Sequence, residues 1–476
     1  MQQQEKQTLL GKYRRRKRVL VTLWLVLIGL VAVFVAWWTA PLLALVSWLA
    51  HEAWFSDHLY YSPQSDHCHR LEGKWARELA IENDRIPGIP ELPDGNASVL
   101  QLTVRATLTG CFLDPHLLIG EERFDFERGV RGKRYLNLSI PLSTFRENDT
   151  PCKSVHCTIS GPFILTGFET ADFSRKRLLV LAPHADDAEL ASFGLYSQAD
   201  EVMIVTVTQG EIEAETYESL GLDDVSAATL KGRLRTWDSM AIPTWGNVPI
   251  QNCVQLGYYC MRLAAMRDHP EQPFSSLVTQ QADTREARKW NHIALPSDQD
   301  GSPTWVNLVA DIGFLLKQFR PGVIVTPHPE RDPHPDHVAA TRALIEAVGE
   351  SGHSPEAYLL YANHLHDNDR WPMGPAGGGI GLPPSFQETE PGTFWSFPTP
   401  PAVQIDKAMA LAMQHDLNHS LPLKKKLRRI IQHLLAGRTW PPTGENEYFR
   451  KAVRSCELFQ VKTRMSPDYR HDSPDY

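Results

Sequence analysis

Two short stretches together supply more metal-type ligands than any other part of this 476-residue chain: Pro183-His184-Ala185-Asp186-Asp187-Ala188-Glu189 and Asp332-Pro333-His334-Pro335-Asp336-His337. Imidazoles mixed with carboxylates suit a divalent cation of the zinc type, held by three protein groups with a further position left for water. A closed structural zinc site would use four ligands, usually including cysteines, and neither stretch contains a cysteine. The chemistry to expect is therefore catalytic, with a cation to activate water and carboxylates or imidazoles to carry protons.

Such residues act together only if the fold brings the two stretches side by side. The first follows the apolar run Arg177–Ala182 and the second follows Gly322–Pro327, both reading as buried parallel strands. Open α/β sheets collect their ligands at the carboxyl ends of such strands. Val338–Leu344 then reads as a helix. From Arg177 onward strands alternate with helices: Val202–Val207 as a strand, Ser226–Ala241 as a helix carrying Arg233, Arg235 and Asp238, and Thr304–Phe319 as a helix with apolar residues at helical spacing. This alternation predicts an α/β class with a Rossmann-like parallel sheet.

The two motifs resemble those of the PIG-L/LmbE family of metal-dependent de-N-acetylases, Pro-His-Pro-Asp-Asp and His-Pro-Asp-His. Ala185 stands where the family usually has Pro, a position that offers no ligand. The resemblance runs from about Arg177 to Lys451. It implies His184, Asp187 and His337 as ligands of one Zn2+ per chain, with Fe2+ fitting the same set, and Asp186 as general base. His334, in protonated form, would stabilise the oxyanion or donate a proton. Asp336 is the natural group to orient His334, and Asp332 or Glu189 would accept from the ligand imidazoles. Arg235 falls where family members often carry Arg and is expected to touch substrate.

The remaining sequence suggests a tethered protein. Seven cations before Val19, against Glu5, give that segment +6, so the rest of the chain carries −14 and the whole −8. A body so acidic, with no basic stripe, excludes a nucleic acid partner. Residues 19–50 contain no charge, enough for a transmembrane or interfacial segment following a basic cytoplasmic tail, residues 1–18. A single span would leave the N-terminus in the cytoplasm and the body in the periplasm of a bacterial-type inner membrane. A cleaved signal peptide and a pair of short spans are the alternatives, and a second span ending near Ala50 would return the body to the cytoplasm.

Ser98–Phe168 alternates apolar and polar positions in short runs, the pattern of a small β-sandwich accessory domain, residues 56–174. Residues 175–465 would form the deacetylase-like domain and 466–476 a disordered tail. In Leu423–Leu435 an apolar face (Leu423, Leu427, Ile430, Ile431, Leu434) opposes a basic one, expected to be solvated, the alternative being a landing surface for phosphorylated glycan or lipid headgroups. Seven cysteines, among them the close pair Cys253 and Cys260, would allow disulfides in an exported domain. The function these features favour is deacetylation of an N-acetylated glycan or glycolipid of the envelope, such as a lipopolysaccharide core. The rivals are a metal amidase for a non-sugar amide and a non-catalytic glycan-binding or scaffold protein.

Overall fold

The computed structural model describes residues 2–89, 97–138, 145, 149–168, 171–387 and 390–465. Parts of the expected accessory domain 56–174 and the whole tail 466–476 lie outside the described residues. The chain is mixed α/β and divides into two compact units.

The first unit comprises residues 1–167, 365–391 and 420–445. It begins with α1 (Gln2–Phe34) and α2 (Thr39–Trp54). The charge-free stretch is thus two helices rather than one, with Pro41 in the first turn of the second, where a missing N–H costs nothing. Of the described helices, only α1 is long and apolar enough to cross a membrane.

Two antiparallel sheets follow. Strands β1 (Trp75–Leu79), β3 (Ala97–Ala106), β6 (Arg131–Leu138) and β8 (Cys157–Phe168) join a two-residue strand, Ile380–Gly381, in one sheet of order β1-β8-β3-β6 and then Ile380–Gly381. Strands β2 (Arg85–Ile86), β4 (His116–Ile119), β5 (Glu122–Asp125) and β7 (Thr150–Val155) make the other, in order β2-β7-β4-β5. Alternate residues of both sheets, such as Leu100, Leu102 and Val104 on β3 with Leu117 and Ile119 on β4, meet in one apolar cluster. The segments 365–391 and 420–445, expected inside a continuous domain 175–465, group with this unit instead.

The second unit holds residues 168–364, 392–419 and 446–476. Its seven-stranded sheet is built from β9 (Arg177–Ala182), β10 (Glu201–Thr208), β11 (Cys253–Tyr258), β12 (Val323–Pro327), β13 (Ala357–Tyr361), β14 (Thr393–Pro398) and β15 (Cys456–Lys462). The order is β11-β10-β9-β12-β13-β15-β14; the first five are parallel and the last two pair antiparallel. Leu179 and Leu181 of β9 enter one helix-covered cluster while Leu178, Val180 and Ala182 enter another, so both faces are buried and the strand reads as a continuous apolar run. From β9 the chain winds outward to β10 and β11, then returns to β9's other edge with β12 and β13. That reversal opens a crevice at the carboxyl ends of β9 and β12, the usual ligand position in such a sheet.

Candidate metal centre

The crevice receives both motifs. After β9 the chain turns through His184 into α3 (Asp187–Tyr196), whose first residue folds its carboxylate back: Asp187 Oδ2 accepts from the His184 backbone N–H at 2.9 Å. Two long helices intervene, α4 (Asp224–Ala241) and α5 (Trp305–Phe319), and after β12 the chain turns through Asp332 into α6 (Pro335–Ser351). Pro335 opens α6 at a position that needs no donor, and His334 caps it, Nδ1 accepting from the Asp336 N–H at 3.3 Å. His337 therefore sits in the first turn of α6, fully buried.

Three donor atoms converge. His184 Nδ1 and His337 Nε2 lie 3.2 Å apart, and Asp187 Oδ2 is 3.2 Å from the first and 3.1 Å from the second. A tetrahedral ion with bonds of about 2.0 Å would hold its ligands about 3.3 Å apart. The remaining atoms of each group are fixed from behind. Asp332 Oδ2 lies 2.9 Å from His337 Nδ1 and also accepts from the N–H groups of Asn363 (3.0 Å) and His364 (3.3 Å). Asp336 Oδ2 lies 3.4 Å from His184 Nε2, and Asn363 Nδ2 donates to Asp187 Oδ1 at 2.8 Å. With each imidazole's outer nitrogen facing a carboxylate, a bound cation would draw the lone pairs of both inner nitrogens to a common point beside a carboxylate oxygen. Such a donor set fits a divalent cation. The buried groups of the crevice include further metal-competent sets, His184 with His334 and His337, and His184 with Cys260 and Asp336.

The flanking residues divide into those placed as the sequence implied and those placed elsewhere. Asp332 backs His337 as expected. Asp336 was expected to orient His334, but its carboxylate turns to His184 and accepts from the Met261 N–H at 2.7 Å; only its backbone N–H meets His334. Glu189 does not meet an imidazole: it accepts from Tyr196 Oη (2.8 Å) and Gln414 Nε2 (3.0 Å), and burial pushes its carboxyl up to about 8. His334 was expected to be protonated. Burial, with the neighbouring His184 and His337, drives it down to about 3, so it is neutral, and its capping bond to Nδ1 leaves the proton on Nε2.

Asp186 is held by Arg235 of α4, whose Nη2 donates to Oδ1 at 2.7 Å while Nη1 reaches Asp416 Oδ2, also at 2.7 Å. Lys231 Nζ sits 3.0 Å from the other oxygen of Asp416. Gly210, at φ +61°, makes room for this guanidinium, since a Cβ there would lie 2.4 Å from Arg235 Nε. Several neighbours were not expected. Cys260 Sγ lies 3.6 Å from His184 Nε2 as a free thiol, as is that of Cys253. His364 sets its ring edge-on to His337, centroids 5.1 Å apart, and its Nδ1 lies 3.1 Å from Tyr448 Oη. Gln414 Nε2 donates to the Ala185 carbonyl at 3.0 Å and steadies the first loop.

No protein-family model matches the chain, and no curated protein matches it. Solved structures that it resembles include a deacetylase mutant from the teicoplanin biosynthetic pathway, at 16% identity and a TM-score of 0.33, covering 60% of this chain and 98% of that one. A conserved protein of Thermus thermophilus aligns at 18% identity and a TM-score of 0.28, over 55% of this chain and 88% of its own. GalB, the 4-carboxy-2-hydroxymuconate hydratase of Pseudomonas putida, aligns at 13% identity and a TM-score of 0.28, over 61% and 98%. At such scores the likeness adds nothing to what the chain's own side chains say: a mixed α/β protein with a buried histidine, aspartate and cysteine group able to hold a metal ion.

Proposed function

We propose that the chain is a metal-dependent hydrolase that removes the acetyl group from an N-acetylated amino sugar carried on a glycan or glycolipid, an envelope glycan such as a lipopolysaccharide core being the expected class. The observation that carries this reading is the ring of three donor atoms 3.1 to 3.2 Å apart with Asp186 adjoining Asp187. The sheet order, with both motifs at the strand-order reversal, supports a Rossmann-like catalytic unit, and the two antiparallel sheets of the other unit support a β-sandwich accessory role.

His184, Asp187 and His337 would hold Zn2+ or Fe2+, which when bound polarises the amide carbonyl and makes water acidic enough to attack near neutral pH. Asp186 takes the proton from the attacking water. Arg235, bonded to one of its oxygens, keeps that carboxylate in one rotamer. His334 donates from Nε2 to the oxygen that gains charge as the carbonyl is attacked; being neutral, it does so without first needing a proton from solvent. The proton that Asp186 has taken passes to the leaving amine, freeing acetate and the amino sugar.

Acetate release from a panel of N-acetylhexosamine glycans and non-sugar amides tests the proposal. Release should need metal, cease with a chelator, and be lost in Asp186→Asn and His337→Ala. Release that persists in both variants would sink it, and a preference for non-sugar amides would replace the sugar.

A further inference from the structure

The apolar N-terminal stretch folds back on itself. Contacts between α1 and α2 move toward the start of α1 as they move past the end of α2: Trp24 Nε1 donates to Ser47 Oγ at 2.8 Å, and the Tyr13 ring meets those of His58 and Tyr60, each at 5.9 Å between centroids. The two helices are antiparallel, and the chain leaves α2 beside the basic segment from which it set out. Charge is confined to that end, in Glu5, Lys6, Lys12 and the run Arg14, Arg15, Arg16, Lys17 and Arg18 of α1 and in Glu52 of α2. At the opposite end the turn exposes Phe34 by 81% and Trp37 by 79%, with Val33 and Val35 beside them.

A helix that crosses a bilayer meets water at both ends and carries polar or charged groups there. This hairpin has them at one. The 16 residues of α2 reach about 24 Å, short of the roughly 30 Å hydrocarbon layer. Its two hydroxyls are satisfied internally, Ser47 by Trp24 and Thr39 Oγ1 by the Ala36 carbonyl at 2.6 Å, as hydrocarbon requires.

The helix Leu423–Ala436 adds a second observation, because it buries Gln432 beside Ile431 and Ala436 while most of its leucines stay outside. Two of its polar residues face the protein: Arg428 pairs with Glu52 of α2, and Gln432 Nε2 donates to the Glu52 carbonyl (3.2 Å) and Ser56 Oγ (3.0 Å). Arg438, just beyond its end, locks it in place through Asp57 and Asp114. Its apolar stripe faces outward, with Leu423 exposed by 82%, Leu434 by 74%, and Leu427 and Ile430 between them. Lys424 and Lys425 are exposed in the first turn. Inward polar groups with a mostly outward apolar stripe and exposed cations suit the headgroup layer of an anionic bilayer.

We propose that α1 and α2 form a re-entrant hairpin inserted from the side of the basic N-terminal segment, and that Leu423–Ala436 lies in the headgroup layer of that same leaflet. Since no later helix among the described residues is long and apolar enough to cross, everything after α2 stays on that side. Basic residues flanking membrane segments stay cytoplasmic, which places the chain on the cytoplasmic leaflet rather than across the membrane from its N-terminus. A substrate glycan would then be met before export. The topology stands independently of the hydrolase reading.

The full chain, carrying different epitope tags at its two ends, is expressed in bacteria and exposed to protease in intact spheroplasts. Both tags should survive until the cells are lysed. Cleavage of either tag in intact spheroplasts overturns the topology. For the surface helix, Leu434→benzoylphenylalanine is irradiated in the full chain reconstituted into phosphatidylcholine and phosphatidylglycerol nanodiscs. A phospholipid adduct is expected; absence of lipid adducts, or a chain-to-chain adduct in their place, overturns the headgroup assignment.

Discussion

Arg235 reaches Asp186 with Nη2 and Asp416 with Nη1, 2.7 Å in each case, so one buried guanidinium ties the proposed base to a carboxylate more than two hundred residues away in sequence. Asp186→Asn should lower kcat by about 10²- to 10⁴-fold, the usual worth of a positioned proton acceptor. Arg235→Met should lower kcat less while leaving metal content unchanged, because Arg235 touches no proposed ligand. Steady-state kinetics with metal analysis of each variant checks both. Loss of metal from Arg235→Met would mean that it supports the centre itself.

Asp332 accepts from His337 and from two backbone N–H groups, and the adjoining His337 overcomes burial to hold its carboxyl at about 2. Asp332→Asn leaves the volume but weakens the grip on the ligand imidazole. Metal affinity should fall about 10- to 100-fold, the typical effect of losing such a supporting bond. Chelator competition measures it, and an unchanged affinity would show that His337 needs no such support.

Gly210 is the one residue type that suits its position, with φ +61° and Arg235 Nε 2.4 Å from any Cβ. Gly210→Ala should cost about 1 to 3 kcal/mol of stability from the backbone alone. Displacement of Arg235 should also reduce kcat. Thermal unfolding and kinetics on the same preparation test the two effects together.

His328 is buried and neutral: burial drives its imidazole down to about 3, while Nε2 faces Gln460 Oε1 at 3.1 Å and Nδ1 accepts from the Glu330 N–H at 3.1 Å. Between about pH 3 and 6.5 the unfolded chain binds a proton here that the folded chain refuses. Stability is therefore complete above pH 6.5 and falls as pH drops through that window, by about 1.4 kcal/mol per pH unit from this residue. Denaturant unfolding at pH 7 and pH 5 should give a smaller difference for His328→Gln than for the natural chain. An equal difference would mean that His328 titrates normally.

The convergence of His184, Asp187 and His337 was legible because each stands in a compact motif directly after an apolar strand, and parallel strands bring such loops together. Their surroundings were not. Asn363, His364, Asp416 and Cys260 come from loops whose sequences carry no metal spacing, and only the sheet order brings them near. Asp336 illustrates a subtler limit: its spacing to His334 is right for a contact, yet the helix start supplies the backbone N–H to that ring and frees the carboxylate for His184. The charge-free segment read correctly as apolar, but its break hid in Ala36-Trp37-Trp38, with only Pro41 marking a new first turn. In Leu423–Ala436 the amphipathic pattern was plain and Lys424 and Lys425 are solvated, but Glu52 draws Arg428 and Gln432 inward and leaves Leu423, Leu427, Ile430 and Leu434 outside.

The most direct test of the account is the metal content of the purified full-length chain by inductively coupled plasma mass spectrometry. The account predicts about one equivalent of zinc or iron per chain, lost when Asp187→Ala and His337→Ala are combined. A natural chain that takes up neither metal, or a double variant that keeps its full equivalent, would contradict it.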